Sequence, residues 1–161
     1  MKKKLFYIGS IIVVLLICSF ILLRNKEEPT EEDYVVLYKE LIDRIMLEST
    51  GLNADMDYIA IDTESFSLIQ YHEPLLGHLT KYNDEIISAS FNNLAERGMA
   101  VNSTLGGILI SSKVEKINKY GNNIKITIEK YRSPLGMYGI TYKVKFKDNK
   151  WDIKSIDMYI S

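Results

Sequence analysis

Apolar residues take three different spacings along this chain. From Leu5 to Leu23 they form one run of 19 residues without a charge, a proline or an asparagine. From Tyr34 they recur at Leu37, Tyr38, Leu41 and Ile45, the i, i+3, i+4 spacing of one buried helix face. Beyond Gly107 they alternate with polar residues, the period of strands with one covered face.

At 1.5 Å per residue the first run makes a helix of about 28 Å, close to the ~30 Å hydrocarbon core of a bilayer. A cleaved signal has a shorter core, about 7 to 15 residues, and small residues at the cut. Here the run ends in CSFILLRNKEE, with bulky residues wherever a cut would fall. Lipidation of the lone Cys18 fails on the same ground: Leu15, Leu16 and Ile17 stand where small residues belong, and apolar residues continue to Leu23. Residues 1–26 therefore read as an uncleaved anchor, helical over about 5–23, with Cys18 as an apolar filler. Lys2, Lys3 and Lys4 precede the run, while Arg24 and Lys26 after it are diluted by Glu27, Glu28, Glu31, Glu32 and Asp33. The positive-inside rule then predicts a single-pass protein of the cytoplasmic membrane, N-terminus inside and residues 27–161 outside.

In the second segment Val35, Ile42 and Met46 widen the helix face, and Thr30 is placed to cap a first turn rich in acids. Gly51 is the expected stop. YIAID and FSLI read as a small early hairpin, Pro74 opens a short helix, and Asn83 or Asp84 caps another that carries Ile87, Phe91, Leu94 and Ala95 to Gly98. The alternating segments are ILISSKVEKINKY, NIKITIEKY, ITYKVKF and WDIKSIDMYI, separated by turn-like YGNN, SPLGMYG and KDNK. They predict a four-stranded antiparallel meander. Its alternation slips at 115–117 and again at 154–155, where bulges are expected.

Helices followed by a bent meander make an α+β domain with helices packed on one face of a sheet. The long first helix, the YIAID…FSLI pair, NDEIISASFNNLAERG and the four closing strands together resemble the NTF2-like or cystatin-like cone domains. Such domains are found as small membrane-anchored, extracytoplasmic proteins of Gram-positive bacteria. The abundance of Ile, Lys, Asn and Tyr, residues with AT-rich codons, points the same way. The resemblance implies a cone whose mouth could bind a ligand, but no activity, because that fold carries enzymes and inert binding domains alike.

Charge divides the chain further. Residues 27–112 hold 16 acids against 4 bases, and residues 113–161 hold 5 acids against 11 bases, so the domain is net −6 and polarised. A net acidic domain without an arginine cluster argues against nucleic acid. A single cysteine excludes an intramolecular disulfide and a cysteine-based zinc site. No motif for a cofactor is present.

Two surfaces stand out as candidates. Lys143, Lys145 and Lys147 alternate out from the aromatic row of one strand, as Lys125 does from the isoleucines of its neighbour, giving one basic sheet surface for an anionic envelope polymer or acidic partner. The plainer reading is a solvated face with lysines guarding against strand addition. Tyr131, Arg132, Met137 and Tyr138 surround the longest turn, with the composition of a binding edge or of packing against the helices. Asp55, Asp57, Asp62 and Glu64 read as a solvated acidic loop, lacking the glycine and terminal Glu of a calcium loop. His72 and His78 read as surface histidines; with Asp57 or Asp62 they would be the acid–base groups of a cone pocket. The chain thus reads as a tethered extracytoplasmic binding domain without catalysis. The alternatives are a small acid–base enzyme and a membrane-held immunity or self-protection protein.

Overall fold

The computed structural model describes residues 28–161. The apolar run over 5–23 lies outside them, and no helix among the described residues is long and apolar enough to cross a membrane.

Helix α1 spans Glu31–Leu47. Its first turn is closed by a reciprocal cap: the Thr30 hydroxyl accepts the Asp33 N–H, and the Asp33 carboxylate accepts the Thr30 N–H at 2.8 Å. The expected stripe is the buried one, with Leu37, Leu41, Ile42 and Ile45 fully enclosed. At the other end the ammonium of Lys130 takes the carbonyls of Glu48 and Ser49 at 2.7 and 3.3 Å and Asn53 Oδ1 at 2.9 Å. The Glu48 carbonyl, at the C-cap, is an acceptor of the kind that a helix end leaves without an intrahelical partner. Gly51 falls beyond the stop, in a 3₁₀ turn over Thr50–Asn53.

The elements that follow are β1 (Ile59–Ile61), α2 (Glu73–Leu79), β2 (Ile86–Ser88), α3 (Phe91–Glu96) and a hairpin of β3 (Ala100–Val101) and β4 (Thr104–Leu105). Four long strands close the chain: β5 (Ile108–Ile117), β6 (Asn123–Ser133), β7 (Gly136–Lys147) and β8 (Lys150–Ile160). The fold is α+β, with one six-stranded mixed sheet in the order β2-β1-β5-β6-β7-β8. Strands β5 to β8 are the expected antiparallel meander, while β1 runs parallel to both its neighbours.

Two local readings are corrected here. The YIAID…FSLI pair is not a hairpin: β1 is enclosed between β2 and β5, and Phe66 and Ile69 plug the core from an irregular segment. Nor does NDEIISASFNNLAERG form one helix. Ile86–Ser88 is drawn into the sheet beside β1, and α3 starts only where Ser90 and Asn93 exchange a second reciprocal cap. In the second case long-range pairing with β1 outweighs local helix preference.

The two faces of the sheet differ. On the helix face α1 and α2 cover Ile108, Ile110, Ile124, Ile126, Ile128, Ile140, Tyr142 and Val144, so the space between helix and sheet is filled by side chains. On the other face α3 and the β3–β4 hairpin cover only the β1–β5 end, around Tyr58, Ala60, Leu94, Leu105 and Leu109. No helix or hairpin covers the rest of that face, which we call the open face, although Thr127 and Thr141 at its centre are buried.

Bulges shape the meander. One extra residue enters β5 at Glu115, one β6 at Arg132 and one β8 at Ile156. The first is at an expected slip, the last one residue beyond the second, and the middle one is new. Asp148 and Asn149, both with positive φ, form the two-residue turn joining β7 to β8, as a tight hairpin requires.

Candidate functional site: the open face of the sheet

Strand register sorts the open face into rows that run across the meander. Starting at the covered end, Leu109, Tyr131 and Met137 make an apolar row. Next come Ser111, Glu129, Gly139 and Tyr159. The third row is Lys113, Thr127, Thr141 and Asp157. In the fourth, Lys116 stands opposite Lys125, Lys125 opposite Lys143, and Lys143 opposite Lys154. Four lysines therefore lie in one line across four strands. Beyond them Lys145 faces Asn123 and Asp152, and Lys147 faces Lys150 at the turn.

The lysine row is a product of the bulges. The extra residue at Glu115 returns Lys116 to the open face, and that at Ile156 brings Lys154 onto the same face as Asp157. Like charges directly opposite in a sheet are destabilising, by roughly 0.2–1 kcal/mol per pair. One carboxylate offsets them: Glu115 sits 2.5 Å from Lys125 and accepts from Thr127 at 2.9 Å. Lys125 first, then Thr127, hold its carboxyl below the usual carboxylate range. Lys116, Lys143 and Lys154 are exposed. With Asn118, Asn123 and Ile156, the lysines 116, 125 and 143 line a groove of about 310 Å³. Its wall is held by Asn118 Oδ1, which accepts the backbone N–H groups of Asn122 and Asn123 at 3.1 and 3.3 Å.

At the opposite end of the face lies a wider cavity of about 570 Å³, lined by Phe91, Leu109, Tyr131 and Met137 together with Asp62, Ser111 and Glu129. Phe91 meets Tyr131 edge-on at 5.4 Å, and the Tyr131 hydroxyl donates to the Ser103 carbonyl at 2.6 Å, which ties the hairpin over the cavity rim. Glu129 accepts from the Tyr159 hydroxyl and, at 3.3 Å, from Ser111. Burial, then the neighbouring Glu64, pushes the Asp62 carboxyl up.

The residues singled out from the sequence separate along these lines. Lys125 and Lys143 belong to the lysine row, and Lys145 and Lys147 flank it on the same face. The hairpin group divides by strand alternation. Tyr131 and Met137 turn to the cavity. Tyr138 is buried in the helix-side core. Arg132, aimed away by its bulge, donates to the carbonyls of Leu52, Ala54 and Asp55 and fixes the loop after α1. Of the four acid–base candidates only Asp62 lines the cavity. Asp57 packs beside Gly106, and His72 precedes α2. His78 bonds Asp43 of α1 at 2.7 Å, as do Lys81 at 2.7 Å and Tyr82 at 2.9 Å, so that cluster ties α2 to α1. Among the described residues no group of three or more His, Cys, Asp or Glu side chains is arranged to hold a metal ion.

Lys116 and Lys154 were not among the candidates, yet they complete the row. The signal for both was the pair of phase slips, because each slip changes which face the next lysine occupies. Comparison with known proteins adds no further assignment: no family model, curated protein or solved structure matches the chain.

Proposed function

We propose that this chain is a membrane-tethered, extracytoplasmic binding domain that works without catalysis and takes a phosphate-rich polyanion along the row Lys116–Lys125–Lys143–Lys154. The observation that carries this reading is the row itself. A sequence that only needed a soluble sheet face would alternate charge across strands, and this one sets lysine against lysine three times in succession. A linear anion laid across the strands neutralises that repulsion. The tether is the run Leu5–Leu23, and the long helix crossing a bulged meander supports kinship with the NTF2-like or cystatin-like domains as the structural setting.

The test is binding of a soluble polyphosphate chain by isothermal titration. Replacing the four lysines together by Gln should weaken binding by at least about tenfold while the thermal transition is kept or raised, and binding should fall steeply with salt. Unchanged affinity in that variant would remove the row from consideration. Arg132 and Tyr138 are left intact in this design, because both hold the fold.

A second reading, acid–base chemistry in the 570 Å³ cavity, is favoured by one observation: Asp62, its carboxyl pushed up by burial, shares that cavity with Glu129. Turnover of a chromogenic glycoside or ester that vanishes in Asp62→Asn would establish it.

A further inference from the structure

The end of the sheet that carries the lysine row is also the end where the chain enters the domain. Trp151, at the start of β8, donates its indole N–H to the Asp33 carbonyl in the first turn of α1 at 2.8 Å. The Tyr34 hydroxyl donates to the Gly121 carbonyl, in the turn between β5 and β6, at 3.1 Å. A Cβ on Gly121 would lie 3.7 Å from Pro29 Cδ, so the segment before α1 passes against that turn. Pro29 lies six Cα–Cα steps beyond Leu23. Fully extended, they reach about 21 Å. A lipid-embedded run ending at Leu23 therefore holds this end of the sheet within about 21 Å of the apolar boundary.

From this we infer that the lysine row docks on anionic phospholipid headgroups of the membrane that tethers the chain, so that the domain lies with its open face toward the bilayer. The inference rests on the reading of the row as a phosphate-binding surface and names the source of the phosphate. Charge selects the face. On the helix side of the same end, Asp33 is engaged by Thr30 and Glu31 by the amides of Gln70 and Tyr71, but Glu28 and Glu32 are exposed. These two carboxylates repel an anionic surface, while the lysines attract it, each by about fivefold in binding when close to the headgroups.

The protein carries its own reporter, since Trp151 is the one tryptophan and sits at the docking end. The full-length chain is placed in phosphatidylcholine vesicles with a trace of dansyl-labelled headgroup, with or without about a third phosphatidylglycerol, and energy transfer from Trp151 is measured. Transfer should rise when phosphatidylglycerol is present. That rise should disappear at high salt, where the Debye length shrinks to about 3 Å, and in the four-lysine-to-Gln variant. The single Lys143→Glu variant should lose most of the rise as well, and circular dichroism verifies that both variants are folded. Equal transfer in both vesicles, with lysine-dependent binding of soluble polyphosphate retained, would overturn the inference and leave the polyanion reading standing. Loss of both responses would overturn the two together.

Discussion

The two faces of the meander are built from the same four strands and differ in what their neighbours do to them. On the helix face Lys130 is fully buried and has three oxygen acceptors, so the one charge admitted there is bonded into the end of α1. On the open face four lysines stand side by side with one carboxylate bonded between them. One face treats charge as a structural bond; the other tolerates repulsion that burial would forbid. Substitutions of the buried charge on the first should therefore act on stability, and those in the lysine row of the second chiefly on binding.

The largest effect expected is at Lys130. Lys130→Met leaves the Glu48 carbonyl and Asn53 Oδ1 without this donor, while the Ser49 carbonyl keeps the Leu52 N–H, and should cost about 3 kcal/mol in denaturant unfolding. Burial pulls this ammonium down to about 8, against the opposing pull of Glu48. In the unfolded chain it titrates near 10.4. Between those values the unfolded chain binds a proton that the folded one has released, so wild-type stability should rise relative to Lys130→Met as pH climbs from about 8 to about 10.4. A constant difference across that range would break the assignment.

Gly139→Ala comes next. A Cβ there would run into the Tyr159 ring, displacing the hydroxyl from Glu129. A loss of about 1–2 kcal/mol is expected. Burial, then the Glu129 bond, pushes the Tyr159 phenol above its ordinary value, and in the variant that value should fall back, as read by ultraviolet titration.

At Asp43, partial burial raises the carboxyl, but Lys81, Tyr82 and His78 outweigh it and hold it below its ordinary value. The stability this contributes is present above about pH 4 and is lost as pH falls through the folded value. Asp43→Asn should remove about 0.5–1 kcal/mol at neutral pH and flatten that acid limb.

The smallest effect has the opposite sign. Lys143→Glu places a carboxylate between Lys125 and Lys154 and should stabilise the domain by about 0.5–1 kcal/mol while weakening polyanion binding. A variant that gained stability and kept full binding would reduce the open face to an ordinary solvated surface.

What could be read in advance followed from how local each signal is. The face of α1 and its Thr30 cap lie within a few residues of one another, and the strands of the meander carry their period with them. Strand β1 lies within YIAID, which reads as a strand, but its choice of partners has no such local signature. Ile59 pairs with Ile86 and Ile108, both distant in sequence, and covering on both faces makes all three of its residues buried, which erases alternation. The candidate site was half legible. Lys125 and Lys143 could be assigned to one surface from alternation alone, but their alignment with Lys116 and Lys154 depends on register and on where each bulge inserts its extra residue.

The position of β1 bears on the order in which the domain forms. The meander pairs neighbours in sequence and can assemble as soon as its turns close, whereas β1 must wait for strands on either side that come later in the chain. Helix α1, made before all of them, finds its apolar floor only when β6 and β7 exist. For a chain that emerges N-terminus first, the long helix spends the whole of synthesis beyond Leu47 with an uncovered stripe of Leu37, Leu41, Ile42 and Ile45. The first helix to be made is thus covered only by strands made after it.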